Sequence, residues 1–312
     1  MNIKNVTVAG AGVLGSQIAY QTAYKGFPVK IWVRSEGSIE RAKPKLASLH
    51  QIYLDTLEAM KTDPSAYCRG LADTPDLSAE QIDALKARAQ RAYESLAFTT
   101  DFEEAAQNAD LVIEAIAENL AEKAAFYKAL APHLPQKTIL ATNSSTLLPS
   151  AIAPFTGRPE KFLALHFANQ IWRNNTAEIM GHPGTDPAAF QEVVDFAAAI
   201  GMVPLELHKE QPGYILNSLL VPFLSAAEAL YANGVADPQT IDKTWTLATG
   251  APLGPFRILD IVGLTTAYNI VAMNPQAKDP SATPGKISAL LKEKIDAGKT
   301  GVAAGEGFYV YR

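Results

Sequence analysis

Short apolar runs rich in β-branched residues alternate with helix-favouring stretches through the first two-thirds of the chain, and then the alternation stops. The runs at 3–9, 29–33, 109–113, 138–141, 162–166, 177–180 and 203–207 read as strands. Helical spacing at 16–25, 120–130, 147–153 and 187–200 supplies the connections, and strand–helix–strand order predicts a parallel sheet. Two long, charged, helix-favouring stretches, 41–60 and 79–96, flank a breaker-rich piece, 62–76, holding Pro64, Gly70 and Pro75. They read as a helical hairpin inserted at about 38–97, either a solvated protrusion or an arm that covers a ligand. Pro212 and Gly213 punctuate the chain after the last strand, and from Tyr214 onward long apolar helices follow without strands. The expected fold is α/β: a Rossmann-like, doubly wound, mostly parallel sheet with its helical-hairpin insert over 1–210, then an all-α domain over 211–312.

Glycines 10, 12 and 15 form the string Gly10-Ala11-Gly12-Val13-Leu14-Gly15 between the first strand and the first helix. The string alone is weak, but in this context it predicts a dinucleotide site. Gly10 permits the tight turn, Gly12 lets backbone approach a pyrophosphate, and Gly15 lets helix pack on strand. The free N–H groups and dipole at the helix start favour the anion. The end of the second strand, where an NAD site carries an acid for the ribose, reads Val33-Arg34-Ser35. Valine removes the repulsion a carboxylate would exert on a 2′-phosphate, Arg34 can pair with that phosphate, and Ser35 can donate to it. NADP(H) is therefore favoured over NAD(H), with Glu36 left as an alternative ribose ligand one alignment step away.

His166 closes one strand, and Glu178 stands twelve residues later inside another apolar segment. An acid in apolar surroundings needs a partner. A His–Glu pair provides one, fixes the imidazole tautomer and suits proton transfer to and from a carbonyl or alcohol oxygen. Asn143, Ser144 and Ser145 end the preceding strand, and Asn169 and Asn217 are neutral donors for the same oxygen. The other histidines, His50, His133, His182 and His208, read as structural or surface groups. No His/Asp/Glu spacing suggests a metal site.

Composition narrows the class without changing it. At 312 residues, 48% hydrophobic and 19% charged, the chain is ordinary globular material with a net charge of −5. A mildly acidic chain has no bulk reason to seek nucleic acid or an anionic membrane. One cysteine, Cys68, allows no intrachain disulfide and fits a cytoplasmic location. The longest uncharged stretches, such as 138–157, are broken by Asn, Ser and Pro, so no membrane span is expected.

With these motifs in order, the whole chain resembles the 3-hydroxyacyl-CoA dehydrogenase family, and within it the diketoreductase branch. The resemblance rests on His166, Asn169 and Glu178 at the family's spacing, on Ala141–Ser145, and on the segment 110–119. It also rests on Pro212–Asn217, on 250–256 and on 305–309. It implies catalysis by His166 with Glu178, with Ser145 and Asn217, and more weakly Asn169, placing the reacting oxygen. It implies cofactor contacts at Ala117, Glu118, Lys123 and Asn143, beside Gly10, Gly12, Val13, Leu14, Gly15, Val33, Arg34 and Ser35. The expected activity is hydride transfer between a nicotinamide and a β-keto or β-hydroxy compound such as a diketo ester or 3-oxo acid. The expected partners are a small-molecule substrate and a second copy of the chain, bound through the C-terminal domain.

Two alternatives stand beside this: a strict 3-hydroxyacyl-CoA dehydrogenase, and a non-catalytic, crystallin-like dinucleotide-binding protein. The run Gln170-Ile171-Trp172-Arg173 departs from the family pattern. It is read either as a bulky ring and a cation at the substrate mouth or as packing at the domain interface. The longer insert shows no compact Lys/Arg set for CoA.

Overall fold

The computed structural model describes residues 1–311. The chain divides into two compact units, Met1–Ile215 and a second from Leu216 onward.

The first unit is built on eight strands: β1 (Val6–Ala9), β2 (Val29–Trp32), β3 (Ala97–Thr99), β4 (Leu111–Glu114), β5 (Ile139–Thr142), β6 (Phe162–Phe167), β7 (Thr176–Met180) and β8 (Val203–Leu207). They form one sheet in the order β3-β2-β1-β4-β5-β6-β7-β8. Every neighbouring pair is parallel except β6 and β7, which run antiparallel with His166 opposite Glu178. The eight residues between β6 and β7 are too few for a crossover helix, so the chain doubles back. Its helices are α1 (Val13–Tyr24), α2 (Glu36–Ala59), α3 (Ala79–Ser95), α4 (Phe102–Ala106), α5 (Leu120–Leu130), α6 (Pro149–Ile152) and α7 (Pro187–Ala199). Hydrophobic cores fill both faces of the sheet, which is why β1, β4, β5 and β6 are buried throughout rather than alternating.

The inserted hairpin is not a solvated protrusion, because its inner face is packed into the first unit. Leu46, Leu49, Tyr53 and Leu57 of α2 and Ile82, Ala89 and Ala92 of α3 are buried in the same core as Tyr20 and Tyr24 of α1. Their spacing of three, four and seven is the apolar stripe of helices laid on a neighbour. The breaker-rich connection is held too, since Cys68, Leu71 and Ala72 are buried and the Gly70 N–H donates to the Trp172 carbonyl. His50 is structural: its Nδ1 meets the Tyr20 hydroxyl at 2.7 Å.

The second unit holds α8 (Tyr214–Ala232, whose first two residues belong to the first unit), α9 (Pro238–Thr249), α10 (Pro255–Val262), α11 (Leu264–Ala272) and α12 (Thr283–Asp296). Two buried aspartates organise it. Asp242 accepts from the Phe256 and Arg257 N–H groups at the start of α10 and from the Tyr309 hydroxyl. Asp260 accepts from the Phe308 and Tyr309 N–H groups and the Tyr311 hydroxyl. The motifs at 250–256 and 305–309 thus have structural work to do. Against the sequence expectation, α8 is long and apolar enough, by length and composition alone, to cross a membrane. It carries Pro222 in its interior and a buried acid, Glu228.

Glu228 yields a pH prediction. Burial pushes its carboxyl up to about 7, and Oε1 has no hydrogen-bond partner. The folded state keeps this proton over a range where the unfolded chain has lost it. Stability therefore falls as pH rises from about 4.5 and levels off above about 7. The full cost is about 3 kcal/mol. Glu228→Gln is expected to match the parent in urea unfolding at pH 5 and to exceed it by about that amount at pH 8.5. An equal gain at both pH values would remove ionisation as the cause.

Candidate active site

At the point where strand order reverses, between β1 and β4, the carboxyl ends of the strands open a cleft of about 720 Å³. Such switch points are where doubly wound sheets bind ligands. Gly10–Gly12, Val33, Arg34 and Ala115–Ala117 border it. Gly10 has φ +107°, and a Cβ there would meet the Ala115 carbonyl oxygen at 2.5 Å. A Cβ on Gly12, by contrast, would meet nothing within 4 Å, because it would project into the open cleft. Gly12 caps α1 without a side-chain bond, so the N–H groups of Val13, Leu14 and Gly15 are left for a ligand. This cradle fits the diphosphate of a dinucleotide.

The adenosine side of the cleft is more basic than the motif alone suggested. Ser38, Arg41 and Lys45 of α2 line it with Arg34. Arg41 donates to the Ser38 hydroxyl at 2.8 Å, and Ser38 lies 3.1 Å from the Ser35 hydroxyl. Arg34 is exposed and lies 3.6 Å from Glu122. Val33 borders the cleft while its side chain packs in the core, which leaves Arg34 as the residue that sets the local charge. The signal for Arg41 and Lys45 is their spacing, three residues from Ser38 to Arg41 and four more to Lys45, which puts all three on one face of a helix.

Beneath the cleft, Lys123 is 1% exposed and Glu114 fully buried, and they pair at 2.5 Å. Glu114 also accepts from the Thr142 hydroxyl and the Ile116 N–H. Burial raises its carboxyl despite the opposing pull of Lys123. Lys123 therefore sits inside, engaged by Glu114 and Glu118. Glu118, 3.5 Å from Lys123, receives bonds from the Ser144 hydroxyl and from both the N–H and hydroxyl of Thr146. Burial works to raise the Glu118 carboxyl, but these bonds outweigh it and hold it below its ordinary value. Glu118 is thereby the anchor of the loop that carries Ser145.

On that loop's far side stands His166. Its Nδ1 lies 3.1 Å from Glu178 Oε2 and its Nε2 lies 3.2 Å from the Ser145 hydroxyl. The other Glu178 oxygen accepts from the Ile215 N–H at 2.8 Å. The carboxylate thus faces donors on both oxygens, which orients the imidazole with its proton on Nδ1 and its lone pair on Nε2. Asn143 is used structurally: its side-chain oxygen accepts from the Phe167 N–H, tying β5 to β6 beside the histidine. Asn169 accepts from Gln17 of α1 at 2.8 Å, and Asn217 stands on the first turn of α8 in the second unit. Trp172 is not at a substrate mouth. It is buried against Tyr53 in the first unit's core, and Arg173 lies beside Cys68.

Residues 5–211 match the model of the 3-hydroxyacyl-CoA dehydrogenase NAD-binding domain, and residues 213–311 match that family's C-terminal domain. The chain belongs to the 3-hydroxyacyl-CoA dehydrogenase family. It is 33% identical to the mitochondrial hydroxyacyl-coenzyme A dehydrogenase of Homo sapiens, over 99% of this chain and 92% of that one. It is similar to a solved diketoreductase, described as performing substrate-directed dual catalysis of dicarbonyl compounds. That likeness has 49% identity and a TM-score of 0.85 over the whole of both chains. It is also similar to the (S)-3-hydroxybutyryl-CoA dehydrogenase PaaH1 of Ralstonia eutropha, with 25% identity and a TM-score of 0.76 over the whole of both. Like the family, the chain is an oxidoreductase of hydroxy and keto compounds built around a nicotinamide-dinucleotide domain.

Proposed function

We propose that this family member interconverts β-keto and β-hydroxy compounds of the dicarbonyl type, with His166 as acid–base catalyst and NADP(H) as cofactor. The observation that carries the reading is the placement of the His166 imidazole between Glu178 on Nδ1 and the Ser145 hydroxyl on Nε2. A bound nicotinamide supplies or accepts the hydride. In oxidation, Nε2 takes the proton from the alcohol; in reduction, it returns the proton to the oxygen. Glu178 holds the ring, while Ser145 positions the oxygen.

Support for dicarbonyl substrates comes from the diketoreductase similarity. The inserted hairpin adds to it, since several of its lysines are engaged by neighbouring acids: Lys43 by Glu40, Lys61 by Glu58 and Asp83, Lys86 by Glu58. A CoA nucleotide would need such cations free. Support for NADP(H) comes from the Arg34, Ser38, Arg41 and Lys45 wall. The test is initial rates with NADPH and NADH on a β,δ-diketo ester and on acetoacetyl-CoA. Faster turnover of the diketo ester with NADPH is the expected result, and NADH with acetoacetyl-CoA as the better pair would overturn both proposals. Arg34→Asp should reverse the cofactor preference.

We also propose a homodimer formed through the second unit, where Leu219, Leu230 and Leu247 expose apolar surface. The expected sedimentation mass is twice 33.4 kDa; a monomer mass would end that proposal.

A further inference from the structure

Tyr214 joins three features that are hard to reconcile with mere space-filling. It is 1% exposed, packs with Ala164 and Met180, and has φ +55° in the left-handed region that disfavours a residue with a Cβ. Its ring lies flat on the His166 imidazole, with centroids 4.4 Å apart and planes 13° from parallel. Its hydroxyl, kept protonated by burial, donates to the Ser144 carbonyl at 2.7 Å. The next N–H along, from Ile215, is the one held by Glu178.

We infer that Tyr214 is the positioning residue of the acid–base centre, setting the plane of His166 with its ring and the height of Ser145 with its hydroxyl. The inference rests on His166 being the acid–base catalyst. Three fixed points meet on one side chain: the imidazole face, the peptide preceding Ser145, and, through the adjoining backbone, the carboxylate that orients the imidazole. A strained backbone position persists only where its surroundings over-determine it, and strain of this kind collects at functional sites. Phenylalanine at this position would keep the first function and lose the second, so the two are separable.

The test is steady-state kinetics of Tyr214→Phe and Tyr214→Leu, with His166→Ala alongside and thermal melts of all three. Phe keeps the stacked ring and drops the carbonyl anchor. It should lower kcat about tenfold with KM within twofold, with only a modest drop in melting temperature from the lost hydrogen bond. Leu drops both and should lower kcat about a hundredfold, so that Phe acts as a partial rescue of Leu. A merely structural tyrosine would lower the melting temperature and leave kcat per folded molecule alone. Should Tyr214→Leu not fold, Tyr214→Phe decides by itself: kcat within twofold of the parent overturns the inference. A severely impaired His166→Ala with normal Tyr214 variants refutes the positioning role alone. An unimpaired His166→Ala refutes the catalytic reading beneath it.

Discussion

His166→Ala is expected to lower kcat by about 10²–10⁴-fold while dinucleotide binding, followed by cofactor fluorescence, stays intact. The two readouts separate because the imidazole stands at the end of β6, whereas the dinucleotide cleft is built by the ends of β1, β2 and β4. Without the ring, Ser145 loses its Nε2 partner and the departing proton has no base. Glu178→Gln is the companion variant. Glu178 accepts on both oxygens, from His166 and from Ile215. An amide has only one acceptor oxygen, so it must turn a donor toward one of these donors. If the amide faces Nδ1, the proton moves to Nε2 and the base is lost. A His166→Ala enzyme that turns over within threefold of the parent would remove this residue from the mechanism.

The second large effect concerns stability. Lys123→Met should destabilise the protein by about 3–5 kcal/mol, because it strands the Glu114 carboxylate in the interior. That is a large share of a typical folding free energy of about 5–15 kcal/mol. The lysine satisfies a charge that the Thr142 hydroxyl and the Ile116 N–H alone cannot neutralise. Because burial already raises the Glu114 carboxyl, it can protonate once the lysine is gone. The deficit should then shrink as pH is lowered, since protonation removes the buried charge. Adding Glu114→Gln to Lys123→Met should recover much of the loss. Urea midpoints at pH 5.5 and 8 measure it; a deficit that is the same at both, and unrelieved in the double variant, would assign the cost to packing instead.

Much of this architecture is legible in the pattern of apolar runs, because a sheet with a core on each face leaves strands hydrophobic throughout. The exceptions have physical reasons. The three-residue strand β3 and the five-residue helix α4 are too short for periodicity to emerge. The hairpin looked solvated because its outer face is charged, while its inner stripe of Leu46, Leu49, Tyr53 and Leu57 was outweighed in a composition count. Lys123 shares an apolar stripe with Tyr127 and Leu130, and a lysine in that slot signals a buried ion pair. The loop holding Trp172 folds inward onto Tyr53, which no local pattern announces. The meeting of His166 with Glu178 followed from chemistry, whereas Tyr214 was visible only as part of a turn motif.

The antiparallel turn-back of β7 separates two kinds of change the enzyme can undergo. His166 and Glu178 face each other because they are opposite rungs of a two-strand ladder. Residues 168–175 link the rails, with Ile171 and Trp172 of the link fixed in the core. Its exposed positions, such as Gln170 and Arg173, can exchange side chains without disturbing the His166–Glu178 pair. A one-residue slip inside either rail would instead turn the glutamate to the opposite face of the sheet. Mutational drift can therefore remodel the exposed part of the link while the His166–Glu178 pair is inherited intact.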